Sequence, residues 1–328
     1  MTSLFVDRRS IELELDSDAI VFRENQQRVG TVPVAPLTRV FLRGDVRLSA
    51  ALLGRLGERD VGVVILSGRR GKASLMLARP HNDASRRVEQ IRKSFDPEYC
   101  LGIARQLIDR KLQRQIEWFA ALREKDMQAR YELSLAMRHL AEARNKLSRA
   151  NNLTSLRGLE GAAAARYFEG LRAVLPPSLG FKNRNRRPPK DPFNALLSLT
   201  YTLAHAELVI ALHGAGFDPC VGFYHQLAFA RESLASDLLE PLRPLCDQFC
   251  FEMAHKRIIS ADDFSTTPSG CLLGKAGRAR YYSAYEEKSE ALRGGIHVEI
   301  QALAEQIGHA IPAPPLETGP EQDNDGDQ

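Results

Sequence analysis

A chain of 328 residues, 44% hydrophobic and 26% charged, has room for two modest domains that each bury a core. Five cysteines, odd in number and scattered (Cys100, Cys220, Cys246, Cys250, Cys271), argue against a disulfide framework. The net charge of +4 hides an asymmetry: residues 311–328 hold five acids and no Lys or Arg, leaving the first 310 residues at about +9, a balance that favours a nucleic-acid partner.

The start, Met1 to Arg9, lacks an apolar core of signal-peptide length, and no segment looks long and apolar enough to cross a bilayer. Both readings lead to an expectation of a cytoplasmic protein without a membrane partner. Leu4–Val6, Ile11–Leu15 and Ile20–Phe22 alternate or cluster β-favouring residues between turns such as Asp16-Ser17-Asp18, and predict short strands. Val32 to Phe41 is interrupted by Pro33 and Pro36, which fits edge or bent strands. Ala50 to Leu56 predicts a short helix, and Val61 to Leu66 the most strongly buried strand. Ser67 to Lys72 reads as a basic turn before Ala73–Leu77. No Gly-rich loop opens a helix here, so a nucleotide-type phosphate cradle is not supported. Residues 1–83 therefore predict a small antiparallel sheet or sandwich with no chemistry of its own, whose strand edges and apolar faces want covering.

From residue 84 the period becomes helical. Ala104, Leu107, Ile108, Leu112, Ile116 and Phe119 form one stripe, with Arg105, Arg110, Lys111, Arg114 and Arg123 mostly off it. Tyr131–Leu147 predicts another helix. Asn151 to Ser155 turns into a helix whose row runs Glu160, Ala164, Tyr167, Leu171. A carboxylate in an apolar row must find a cation or a proton, although a lone helical Glu is more often solvated. Pro176 to Lys190 is a loop with five basic residues in nine positions: Lys182, Arg184, Arg186, Arg187 and Lys190. It is either a solvated connector or a source of phosphate contacts.

Pro192–His213 predicts a long apolar helix stopped at Gly214-Ala215-Gly216. Helical pattern resumes over 228–260 and 280–308. Pro241 either kinks its helix or starts a new one with Glu240 as the cap. Cys246, Cys250 and His255 lack two further well-placed ligands for zinc and read as buried thiols and a bystander. The acidic, Pro-containing stretch 311–328 is expected to be a disordered tail. The expected fold class is α+β: a β domain over 1–83, then a larger all-α catalytic domain over 84–310.

Glu160, His225, Asp237 and Glu240 are the candidate catalytic residues. One imidazole with two or three carboxylates makes a hard, oxygen-rich site suited to Mg²⁺ or Mn²⁺. Each has a blander reading: a surface His, or an exposed ladder of Asp237, Glu240 and Arg243. Three blocks together are more specific: Arg157-Gly158-Leu159-Glu160-Gly161 with Arg166-Tyr167-Phe168; Gly216-Phe217-Asp218-Pro219 through Gly222-Phe223-Tyr224-His225; and Ser233 through Pro244. In order and spacing they resemble CRISPR-associated protein one, the integrase of CRISPR adaptation, over most of residues 1–300. Leu242 stands where that family has an aromatic residue.

The resemblance implies Glu160, His225 and Glu240 as metal ligands, with Asp237 beside the ion. It implies a metal-dependent DNA endonuclease and strand transferase that inserts short duplexes into a repeat array by 3′-hydroxyl attack. It also implies a homodimer through the β domain and a hetero-hexamer with the small CRISPR-associated protein two. Asp237 binds a second ion, binds through water or orients His225. Arg243 pairs with Asp237 or Glu240, or joins Arg166, Lys182, Arg184, Arg186 and Arg187 as a DNA contact. The alternatives are a branched-DNA repair endonuclease, a non-catalytic DNA-binding protein with ion-paired carboxylates, and a hydrolase of small phosphorylated molecules.

Overall fold

Alternating apolar residues over the first 76 positions build two four-stranded sheets, seen in a computed structural model that describes residues 2–66, 73–77, 84–185, 188–225, 231–268 and 270–308. The first sheet has the order β1 (Thr2–Asp7), β5 (Leu37–Arg43), β7 (Gly62–Leu66), β8 (Ala73–Met76). The second has the order β4 (Gln27–Pro33), β3 (Ala19–Glu24), β2 (Ile11–Asp16), β6 (Val46–Leu48). A helix, α1 (Ala50–Glu58), capped by the Ser49 hydroxyl, leads into β7. As expected, Pro33 ends an edge strand, where its missing N–H costs no ladder bond.

The expected antiparallel arrangement is corrected: β1, β5 and β7 run parallel, as do β2 and β6, and the remaining pairs are antiparallel. Parallel neighbours need long crossovers, and the chain supplies them by leaving the first sheet for the second and returning. The first sheet is consequently covered on both faces. Val6, Val40, Leu42 and Val63 pack with Leu52, Leu56 and the second sheet. Their alternates Phe41, Val64 and Leu66 join the helical core instead. This explains why Val61–Leu66 reads as a continuous apolar run.

The helical part comprises α2 (Ser85–Ser94), α3 (Pro97–Lys125), α4 (Arg130–Lys146), α5 (Leu153–Val174), α6 (Pro192–Gly214), α7 (Ser233–Leu239), α8 (Arg243–His255) and α9 (Lys275–Ile307). It is not all-α: β9 (Phe264–Thr267) and β10 (Gly270–Leu273) form a hairpin before α9. There the Cys271 N–H donates to the Pro189 carbonyl at 2.8 Å, anchoring the end of the basic loop.

The expectation about membrane-length segments also needs correcting. α6, with 23 residues and a mean hydropathy of 1.6 in its best window, is long and apolar enough to span a bilayer. Yet 61% of that window is buried inside the protein, and the helix carries the fully buried Glu207. Glu207 accepts from Tyr285 at 3.1 Å and pairs with Arg293 of α9 at 3.1 Å and Arg39 of β5 at 3.4 Å. α6 is a core helix, and its buried charge ties the β sheet to the helical part. The expected basic turn at Ser67–Lys72, the boundary at residue 83 and the 311–328 tail lie outside the described residues.

Pro241 produces neither of the two expected outcomes alone. α7 and α8 are joined by a 3₁₀ turn, Glu240–Leu242, in which Glu240 keeps helical angles (φ −55, ψ −52). The Asp237 carbonyl, which loses its helical donor to proline, instead accepts the Glu240 N–H. Arg114 of α3 donates to the Pro241 carbonyl at 2.6 Å and fixes the bend. The bend turns Glu240 towards α3.

Candidate active site

Glu160 lies in the middle of α5, a helix begun by Asn152, whose side chain accepts the Ser155 N–H at 2.8 Å. One turn earlier, Arg157 donates to the Tyr224 carbonyl at 2.6 Å, so the first block holds the second in place. Between Glu160 and Glu240 stands Lys111 of α3. Its ammonium pairs with Glu160 Oε1 and with Glu240 Oε2, the latter at 2.7 Å. The other Glu240 oxygen, Oε1, accepts from Arg243 Nε at 2.9 Å. The reading that paired Arg243 with a neighbouring carboxylate is the one the structure presents, with Glu240 as the partner. Burial opposes charge on Glu240, but Arg243 and Lys111 outweigh it and hold its carboxyl far below the usual range. Burial likewise opposes the Lys111 ammonium, and Glu240 and Glu160 reverse the balance and raise it.

Asp237 is fully buried on α7, and all its acceptor capacity faces the His225 loop. Its Oδ2 accepts the Phe223 and Tyr224 N–H groups at 2.7 and 2.9 Å. Its Oδ1 accepts the His225 N–H at 2.8 Å and lies 2.7 Å from His225 Nδ1. A carboxylate there makes Nδ1 the donor and leaves Nε2 as the imidazole's free lone pair. Gly222 is required by this clamp, because a Cβ would come within 2.8 Å of Asp237 Oδ2 and of Ser233. Gln90 of α2, also fully buried, holds the preceding turn. It donates to the Asp218 and Val221 carbonyls at 2.9 and 2.7 Å and accepts from the Asp218 N–H at 2.9 Å.

Behind Arg243 lies a second buried polar cluster. The Arg243 guanidinium stacks over Tyr201 at 4.6 Å. Tyr201 donates to Asp247 Oδ1, and Tyr167, two steps along the Glu160 row, donates to Oδ2 at 2.8 Å. Burial pushes the Asp247 carboxyl up to about 6, against its tyrosine donors and Arg243. A raised carboxyl costs stability as it ionises, so this contribution declines as pH climbs from about 4 to 6. Relative to Asp247→Asn, the wild type should lose up to about 3 kcal/mol across that interval. Urea denaturation of both proteins at pH 4.5 and 7 measures this, and a gap that stays constant with pH would contradict it.

The structure thus brings Glu160 and Glu240 onto one cation and ties His225 to Asp237. Lys111, Gln90, Tyr201 and Asp247 are the participants that sequence reasoning missed. Among the described residues, no three His, Cys, Asp or Glu side chains form a ready metal cage. The donor set nevertheless fits a hard divalent ion: two carboxylates converge on a positive charge, and an imidazole nitrogen is oriented by a carboxylate. Of the expected DNA contacts, Arg166 pairs with Glu169 at 2.8 Å on an exposed helix face, and Lys182 is exposed. Arg184 donates to Asn194 Oδ1 at 2.7 Å and lies over Tyr201 at 5.5 Å. Arg186 and Arg187 lie outside the described residues.

Residues 4–287 match the family model for CRISPR associated protein Cas1. A CRISPR-associated endonuclease Cas1 from Thermodesulfovibrio yellowstonii is 35% identical over 310 residues, spanning 94% of this chain and 97% of that protein. A Cas4 exonuclease/Cas1 endonuclease fusion from Geobacter sulfurreducens is 32% identical, matching 95% of this chain and 59% of the fusion. Among solved structures, a Cas1 protein from Thermotoga maritima superposes with a TM-score of 0.80 at 22% identity, covering 93% of this chain and 96% of that one. A casposase bound to integration product gives a TM-score of 0.78 at 20% identity, covering 94% and 90%. The Cas6-RT-Cas1–Cas2 complex gives 0.78 at 26% identity, covering 93% of this chain and 35% of that one.

Proposed function

Since the chain belongs to the CRISPR associated protein Cas1 family, we infer that it is a divalent-metal-dependent DNA endonuclease and the integrase of CRISPR spacer acquisition. The observation that carries this reading is the convergence of Glu160 and Glu240 on one buried cation, with His225 oriented alongside by Asp237. Glu160, Glu240 and His225 Nε2 would hold Mg²⁺ or Mn²⁺. The ion, when bound, polarises the scissile phosphate and stabilises the attacking and leaving oxygens.

The protein's own groups set the geometry. Asp237 is a positioning residue: its four contacts fix the loop and the imidazole tautomer. Arg243 keeps Glu240 ionised and aimed at α3. Arg157 and Gln90 hold the loop against α5 and α2. With water as nucleophile this site cuts DNA, and with the 3′-hydroxyl of a captured duplex it joins strands. The partners on this reading are double-stranded DNA, a second copy of the chain through the β domain, and Cas2 in a hetero-hexamer. The expected location is the cytoplasm.

Integration of short duplexes into a repeat-bearing plasmid, with Cas2 and Mn²⁺, tests the reading. Glu160→Ala and His225→Ala should each lose strand transfer by about 100-fold or more, beyond what losing an outer-shell partner costs. Wild-type transfer by either variant in modest metal excess removes that residue from the site. Cutting without joining would leave a nuclease with no integration role.

A further inference from the structure

The geometry points to Lys111 as a built-in cation that occupies the place of the divalent ion and must be displaced when the ion binds. This rests on the reading of Glu160 and Glu240 as metal ligands.

Three observations support it. The ammonium touches both carboxylates at once, contacting Glu240 at 2.7 Å, although they come from elements far apart in sequence. Its side chain is only 6% exposed and that of Glu240 is 6% exposed, so water cannot share the screening. Within the directly paired group the charges already balance: Glu160 and Glu240 supply two negative charges, and Lys111 and Arg243 two positive ones, while Asp237 is taken up by the His225 loop. A dication added to that balanced, buried group would leave excess positive charge in a poorly screened place, so Lys111 must give way.

A destination for it lies one turn further along α3. Gln115 is 2% exposed, and its side-chain carbonyl has no hydrogen-bond partner among the described residues. Residues four apart on a helix are neighbours, so a displaced ammonium has an acceptor within its own helix face.

The exchange has a chemical consequence. Without metal, Lys111 holds two like-charged ligands together and keeps the site assembled. With metal, displacing it consumes part of the binding energy, so Lys111 lowers the affinity of the site for any divalent ion. Lys111 is on this account a positioning residue whose effect appears in metal binding rather than in the bond-making step alone.

Calorimetric titration of the full chain with MnCl₂ and no DNA tests this, using wild type, Lys111→Met, Lys111→Gln and Glu160→Ala. Removing the competing charge should tighten Mn²⁺ binding by about tenfold or more in both Lys111 variants. The melting temperature of either variant should be lower than wild type without Mn²⁺ and should rise more on adding it. Lys111→Gln keeps a hydrogen-bonding head and covers the case in which the Met variant fails to fold. Mn²⁺ binding that is unchanged or weaker in both foldable variants, while wild type binds and Glu160→Ala does not, overturns the exchange and leaves the metal reading standing. Absence of Mn²⁺ binding from all four proteins overturns both.

Discussion

Glu240→Ala should unfold more easily than any other single ligand variant, losing about 3–5 kcal/mol, and should also lose strand transfer. The two effects have separate origins. Among the described residues, Glu240 is the only carboxylate that touches both Lys111 and Arg243, through one oxygen each. Removing it leaves Arg243 without a carboxylate and Lys111 with Glu160 alone, in a place with little water, and an unpaired buried charge costs far more than a pair contributes. Among the described residues Glu160 pairs with Lys111 alone, and its side chain is 22% exposed, so Glu160→Ala should cost only about 1–2 kcal/mol while still abolishing activity. Urea denaturation of the two variants compares these costs directly. The double variant Glu240→Ala with Lys111→Met should be less destabilised than the two single losses combined, because both partners of one contact are removed together and the excess positive charge goes with Lys111. Equal stability of the Glu160 and Glu240 variants would show that the cluster does not share charge as described.

Much of this site was legible in the sequence because its residues break the pattern around them. Glu160 stands in a row with Tyr167 and Leu171, both fully buried, and the row alone demands a partner for the carboxylate. The partner itself was readable by the same rule. Ala104, Ile108, Lys111, Gln115 and Trp118 follow three- and four-residue spacing, and all five are buried. The sequence nevertheless puts Lys111 on the polar face, because a helix as basic as α3 offers many cations and the apolar stripe is complete without it. Asp247 gave a similar signal, an acid between Cys246 and Cys250 on a buried face. Gln90 gives none: α2 is mostly polar, its Val88 and Ile91 are exposed, and only the tertiary fold reveals what the Gln90 amide holds.

The errors in the fold have a common cause. Strand pairing is a long-range choice, and alternation reports which face is buried but not which neighbour lies alongside or in which direction. Val63, Val64 and Leu66 do mark a strand covered on both sides, which is the usual position of a parallel strand, although Ile65 between them is exposed. The β9–β10 hairpin escaped because four-residue strands are too short for a period to emerge. Pro241 was correctly flagged as a bend, but the route by which the backbone keeps its hydrogen bonds depends on Arg114, from a different helix.

Asp237→Asn should be nearly as damaging as His225→Ala, although its side chain changes by one atom. An asparagine has one acceptor oxygen where the native carboxylate uses two. Whichever way the amide is turned, its NH₂ must face backbone N–H donors. If the oxygen takes the Oδ1 position, the Phe223 and Tyr224 N–H groups, now 2.7 and 2.9 Å from Oδ2, lose their acceptor. If it takes the Oδ2 position, the His225 N–H and Nδ1 lose theirs. Stranding two buried donors should cost about 2–4 kcal/mol. The second consequence is chemical. In the first orientation the loop that carries the ring loosens, in the second Nδ1 faces an NH₂ and the tautomer is no longer fixed, and in either case strand transfer should fall by about 10- to 100-fold, as when the support of a metal-bound histidine is removed. Hydrogen exchange separates this from general destabilisation, because the Phe223, Tyr224 and His225 amides should lose protection while those of α3 and α6 keep theirs. Wild-type protection of the three loop amides in Asp237→Asn, with activity intact, would mean that the clamp does not orient His225.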